Sequence, residues 1–149
     1  MFNSLVLSDA INTAKKEIWE FWKKEYLEIS LEKGKWHFGI MKTPTNKIWW
    51  NELSLNSEEK NVLSRIRSGH TLTKERRYQW RWEIDENCEI CEEKEDMEHI
   101  LYVCPFYNTQ RADFPVLEYC KPLHTILKEN NEAELRQLVN FIKSIRIQI

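Results

Sequence analysis

The sequence predicts a mainly α-helical fold: a small helical domain organised around one cluster of metal-ligating side chains, with an irregular, aromatic-rich connector. Three observations point there. Apolar residues recur at helical spacing behind Ser, Asp and Asn capping residues in several segments. Among 149 residues there are seven tryptophans but only three glycines, which suits helices closed over a small core of large aromatic side chains rather than many aliphatic ones. Three of the four cysteines fall, with one histidine, into the string Cys88-x2-Cys91-x7-His99-x4-Cys104. Two thiols separated by two residues grip one ion from one side, and a histidine and a thiol five apart complete a tetrahedron from the other. The string therefore predicts a CCHC zinc knuckle, with Cys88, Cys91, His99 and Cys104 holding one structural Zn2+.

Taken in order, Ser8 and Asp9 form an N-cap for a helix running to about Ile29, with Ile11, Ile18, Trp22 and Ile29 at helical multiples and Lys15, Lys16, Lys23 and Lys24 on other faces. Leu31 to Asn51 holds Gly34, Gly39 and Pro44 among Trp36, Phe38, Trp49 and Trp50, and reads as a connector with one short strand near Trp36 to Ile40. Asn56-Ser57-Glu58-Glu59 is a capping box for a second helix that turns Val62, Leu63 and Ile66 inward and stops at Gly69. Thr71 or Thr73 opens a third helix, to about Ile84. After the metal string, Phe114 to Lys128, with Pro115 and Pro122, reads as a linker. Asn131-Glu132-Ala133-Glu134 then caps a last helix whose stripe is Leu135, Leu138, Val139, Ile142 and Ile145, to be covered by a partner helix or by the first helix. The segments 1–56, 57–112 and 113–149 are expected to form one compact unit, with no internal repeat and no low-complexity tract.

A mean hydropathy of -0.64 and the absence of an apolar run near the roughly eighteen residues a membrane span needs predict a soluble chain without membrane contact. Met1 to Ala10 lacks the charged, apolar, small-residue order of a signal peptide. An odd number of thiols gathered with a histidine suits a reducing compartment better than disulfides, so the expected location is intracellular, in the nucleus, the cytoplasm or both. Two alternatives stay open at the metal. Cys104 follows the apolar run Ile100-Leu101-Tyr102-Val103 and would also pass as a small core residue. Cys120, the spare thiol, could stand in as fourth ligand.

The net charge of -2 conceals a dipole. Lys60 to Trp82 carries seven basic residues against one acid, and Glu83 to Glu98 nine acids against Lys94. Guanidinium groups suit phosphate oxygens and exposed indoles suit unstacked bases. Arg65, Arg67, His70, Arg76, Arg77, Trp80, Arg81 and Trp82 are therefore the candidate nucleic-acid contacts, and RNA or DNA the expected partner. The competing reading is that the basic and acidic runs neutralise each other inside the fold. The collar of Glu89, Glu92, Glu93, Glu95, Asp96 and Glu98 would repel phosphate, so the metal itself is expected to build structure. Four protein ligands leave no open position for water. No histidine has a nucleophile at recognisable spacing and no glycine loop cradles phosphate, so neither an enzyme nor a small-molecule substrate is expected.

Leu63-Ser-Arg-Ile-Arg-Ser-Gly-His-Thr71, followed by the Cys and His string with Met97-Glu-His-Ile-Leu-Tyr-Val-Cys-Pro-Phe-Tyr107 around its last two ligands, resembles the extreme C-terminal region of insect non-LTR retrotransposon polyproteins. There it follows the reverse transcriptase and, in several clades, an RNase H domain. Trp19, Trp22 and the tail from Asn140 to Ile147 resemble its flanks. The resemblance implies a CCHC knuckle on the same four ligands and an association with element RNA or target DNA. No Tyr-x-Asp-Asp polymerase motif is present, and a start at Met1 reads as a free-standing, domesticated derivative. A different class of function is a protein-interaction adaptor with a host regulatory role, using the acidic knuckle and the aromatic helices, with a host protein or a second copy as partner.

Overall fold

The computed structural model describes residues 2–118 and 121–146. Cys120 and the end of the tail at Ile147 lie outside the described residues. The chain divides into two compact units, Met1–Asn46 and Lys47–Ile149. Among the described residues there is no strand, only one isolated bridge between Asn87 and Lys94, and no helix is long and apolar enough to cross a membrane.

The first unit holds α1 (Phe2–Ser30) and α2 (Lys35–Ile40). Helix α1 begins ahead of the expected cap, so Ser8 and Asp9 lie inside it. It ends where the Lys33 amide reaches Ile29 O at 2.8 Å, and Gly34, at φ 72°, reverses the chain. That left-handed position is strained for any residue with a Cβ. The expected strand at Trp36 to Ile40 is α2 instead. A lone strand would leave its amides and carbonyls unpaired; the helical turn closes them internally, Phe38 N to Gly34 O at 3.0 Å and Met41 N to His37 O at 2.8 Å. Tyr26 ties α2 to α1, donating to Met41 O at 2.6 Å while its ring lies 6.0 Å from that of Phe38. Ile11, Ile18, Trp22 and Ile29 do share one face of α1, but that face is exposed.

The second unit carries α3 (Ser57–Ser68), α4 (Lys74–Gln79), α5 (Asn108–Arg111), α6 (Pro115–Glu118), α7 (Leu123–Glu129) and α8 (Glu132–Ser144). The capping box of α3 forms in both directions: Glu59 N to Asn56 Oδ1 at 2.9 Å and Asn56 N to Glu59 Oε2 at 2.7 Å. That of α8 forms in one direction only. Asn131 accepts from Ala133 and Glu134, but the Glu134 carboxylate turns away to Lys121 at 2.6 Å. The stripe of Leu135, Leu138, Val139 and Ile142 is buried as expected, against α3, α6 and α7. The expected linker thus supplies two of the helices that cover it.

The core corrects the aromatic expectation. Among the described residues its largest fully buried side chains are Leu63, Ile66, Ile100, Leu101, Leu117, Leu123, Ile126, Leu127, Leu135, Leu138 and Val139, with Phe141 the single aromatic among them. Indoles carry a polar N–H and too much volume for so small an interior, and they sit at its edges. Trp49 is one such edge. Arg67 lies over it at 4.3 Å, donates to Leu127 O, and donates to Asn130 Oδ1 at 2.8 Å, while Asn130 Nδ2 returns to Trp49 O at 2.7 Å. Ser54 is held by Glu132 and Arg136. These bonds fasten residues 47–55 to α7 and α8, which puts the unit boundary at residue 46 instead of 56.

Candidate metal centre

The first two ligands lie on a tight hairpin. Cys88 N bonds Glu93 O at 2.7 Å, Glu92 N bonds Cys88 O at 2.9 Å, and Glu95 N bonds Glu86 O at 2.9 Å around the Asn87 and Lys94 bridge. To close this turn Glu92 adopts φ 59°, a left-handed conformation in which its Cβ crowds the backbone. The result points Cys88 and Cys91 the same way.

The other two ligands depend on a turn that is not α-helical. Asp96 caps it, accepting from His99 N at 2.8 Å, and His99–Val103 then forms a π-helical turn closed by Cys104 N to His99 O at 2.8 Å. In an α-helix, residues five apart lie about 140° round the axis from each other. A turn bonded from i to i+5 brings them back onto one side, and this is how the chain meets the H-x4-C spacing. One ligand faces the hairpin from each end of the turn.

The four donor atoms lie within 4.8 Å of one another. Cys104 Sγ is 3.9 Å from Cys88 Sγ and 3.7 Å from Cys91 Sγ. A tetrahedral zinc with Zn–S bonds near 2.3 Å places its sulfurs about 3.8 Å apart. His99 is buried and its Nε2 has no protein partner, which fits a nitrogen that is to be a ligand, while Glu93 approaches Nδ1 at 3.7 Å from behind. All three thiols are free. Burial, and then its bonds to the thiols of Cys104 and Cys88, push the Cys91 thiol up to about 12. A bound divalent ion reverses that preference at Cys91. The donor set thus fits one zinc ion. Cys104, at 1% exposure, is a core residue whose sulfur also lies within reach of the other three donors.

Sequence reasoning missed Arg111. This buried side chain bonds Leu101 O through Nε at 2.6 Å, and through its terminal nitrogens Ile100 O at 3.2 Å, Cys104 O at 2.9 Å and Asn108 Oδ1 at 2.6 Å. Carbonyls at the end of a helical turn lack intrahelical donors, and Arg111 supplies them to the turn that presents His99 and Cys104. Its signal in the sequence is slight: a basic residue seven positions after the last ligand.

The candidate nucleic-acid residues separate into three groups. Arg67 is withdrawn from the surface by the contacts to Trp49, Leu127 and Asn130; burial lowers its guanidinium to about 10, still charged at neutral pH. Arg77 pairs with Glu83 at 3.2 Å, and the neighbouring Lys74, buried, reaches Asp85 at 3.3 Å and Glu89 at 3.6 Å. The basic and acidic runs therefore neutralise each other in part, and with Lys94 on Glu75 at 2.6 Å they bind α4 to the hairpin.

The third group is gathered by two helix ends. Helix α4 stops at Gln79, not near Ile84, because Arg81 turns left-handed at φ 62°. Trp82 N then bonds Arg77 O, and Arg81 N bonds Tyr78 O, both at 2.8 Å. Helix α3 ends the same way around Gly69 at φ 71°, with His70 N on Arg65 O at 2.9 Å. Each is a Schellman motif, and each throws the next side chain back along its helix. His70 and Trp82 so arrive beside Trp80, the imidazole tilted 31° to it with ring centroids 6.4 Å apart and the second indole edge-on at 62° and 5.0 Å. Trp82 is 67% exposed. Arg81, exposed, lies between Trp80 and Trp82 in the chain, Arg76 is bonded to Gln79 Oε1 at 2.7 Å, and Arg65 is exposed on the last turn of α3.

Compared with known proteins, residues 15–110 match the family model described as zinc-binding in reverse transcriptase. No curated protein and no solved structure matches the chain.

Proposed function

The chain belongs to the family of zinc-binding regions of reverse transcriptase-related proteins, and from that premise we propose that its zinc site is a structural strut for a surface that binds single-stranded nucleic acid, RNA or DNA. The observation that carries this reading is the cluster of His70, Trp80 and Trp82, with His70 and Trp82 exposed, in the same short segment as Arg76 and Arg81. Bases stack on aromatic faces without regard to sequence, and guanidinium forks hold the phosphates between them. Four protein ligands leave no coordination position for a reacting water, which supports a non-catalytic role for the ion and for the protein. The strings Leu63 to Thr71 and Met97 to Tyr107 support a finer origin, the C-terminal region of an insect non-LTR element.

Binding of labelled single-stranded RNA and of the corresponding DNA, followed by anisotropy across a salt series, tests the proposal. Trp82→Ala should weaken binding roughly 5- to 150-fold, the equivalent of about 1–3 kcal/mol for one stacked base. Arg76→Glu with Arg81→Glu should weaken it further and reduce the salt slope by about 1.4, at roughly 0.7 per phosphate on a single strand. Zinc content, measured alongside, separates a lost contact from a lost fold. Wild-type protein that binds neither nucleic acid, or variants that bind as tightly as wild type, would overturn the reading. That outcome would favour a protein adaptor, whose supporting observation is the internal pairing of Lys74 and Arg77 while Glu89, Glu92 and Glu93 stay exposed.

A further inference from the structure

Every residue of α1 from Leu7 to Ile18 is exposed. Helices are marginal in water until packing supports them, so a helix of 29 residues with residues 7–18 bare calls for cover. The side chains name the face. At helical spacing Leu7, Ile11, Ala14, Ile18, Phe21, Trp22 and Ile29 fall within a stripe about 100° wide, and within it Leu7 is 62% exposed, Ile18 68%, Phe21 64% and Ile29 54%. A free aromatic side chain presents roughly 150–250 Å², and branched aliphatic ones somewhat less, so the stripe offers on the order of 600 Å². Two such stripes would bury about 1,200 Å², the lower bound for a stable specific interface.

We propose that α1 is the seam of an antiparallel homodimer, with a second copy of this chain as the occupant of the stripe. The charges beside it select the partner and the direction. Glu17 and Lys24 lie along one edge, Lys15 on the other, and Glu25 interrupts the stripe near its C-terminal end. In a parallel pair opposite edges meet, and Glu17 would face the partner's Trp22. In an antiparallel pair with its two-fold near residue 20, like edges meet. Glu17 then faces the partner's Lys24 and Lys24 faces the partner's Glu17, Glu25 faces the partner's Lys15, and Ile18 packs on the partner's Phe21. In this register the partner's Leu7 reaches a groove of about 300 Å³ formed by Trp22, Tyr26, Ile29 and Gly34. Apolar stripe, charge pattern and groove all agree on one register.

Light scattering behind a sizing column, on the full zinc-loaded chain, should give about twice the 18.1 kDa of one copy. Ile18→Glu should return it to one copy. Because that change could also loosen α1, the charges give the sharper measurement: Glu17→Lys alone should raise the dimer dissociation constant at least tenfold, and Glu17→Lys with Lys24→Glu should restore it, with zinc content unchanged throughout. A wild-type mass of one copy, or of three or more, overturns the proposal, as does a double variant no tighter than the single one.

Discussion

Replacing Arg111 by methionine keeps most of the aliphatic stem and removes every donor. Arg111 is 9% exposed and bonds the carbonyls of Ile100, Leu101 and Cys104. A buried acceptor left without its partner costs about 1–3 kcal/mol. Cys104 O keeps a weaker bond from Tyr107 N at 3.3 Å, so about 1 kcal/mol applies there, and with about 1–2 kcal/mol for each of the other two carbonyls the net loss should be about 3–5 kcal/mol. At a urea slope of about 2 kcal/mol/M this moves the unfolding midpoint of the zinc-loaded protein down by roughly 2 M. Because the carbonyls belong to the turn between His99 and Cys104, zinc affinity measured against a competing chelator should fall roughly 10- to 100-fold, the range for residues that orient metal ligands. Arg111→Lys, which keeps the charge but replaces the planar fork by a single nitrogen that cannot span the carbonyls of Ile100, Leu101 and Cys104, should fall between. An Arg111→Met protein with wild-type zinc affinity and an unmoved midpoint would show that the turn holds itself.

Glu92→Gly should stabilise the zinc-loaded protein by about 1 kcal/mol, since glycine accepts the left-handed turn without a Cβ; a rise of about 2–4 °C in Tm is expected, and a fall would refute the strain assigned to Glu92. Asn56→Ala should cost about 1 kcal/mol by opening the capping box on α3, and denaturation in urea would detect it; no loss would mean the cap is dispensable. The carboxylates of Glu129 and then Glu134 hold the Lys121 ammonium above its usual range. With the folded-state value raised, the stabilisation is complete below the unfolded lysine value near about 10.4 and disappears as pH rises through the folded one. Lys121→Met should therefore flatten the alkaline limb of a stability-against-pH curve, and an unchanged limb would show that the pair does not form.

The four metal ligands were legible because coordination chemistry constrains both residue type and spacing, and no packing choice can substitute for them. Asn56 with Glu59 and the stop at Gly69 were legible for a similar reason: each is a local rule between neighbours. The residues misread are those whose meaning depends on distant partners. A guanidinium looks the same in sequence whether it faces phosphate or carbonyl, and only the fold reveals that Arg67 meets Trp49 and Arg111 meets Leu101. Arg81 hid the end of α4 because a left-handed residue announces itself only when it is glycine. Pro115 and Pro122 suggested a linker, yet proline is tolerated where a helix begins, as it does at α6 and α7. Trp36 and Phe38 read as strand in the absence of any knowledge that the described residues hold no second strand to pair with it.

The turn from His99 to Val103 has its two ends at the metal and its middle, Ile100 and Leu101, in the core at 2% and 0% exposure. Ligand site and interior are therefore one piece of chain, not a finger hung from a scaffold. A peptide cut to 86–105 would contain every donor atom but neither Arg111 nor the wall of α8 against which the core is laid. The knuckle is consequently not a portable cassette: moved to another protein it would have to travel with the helices that follow it, and chelating its ion in place should dismantle those helices along with the site.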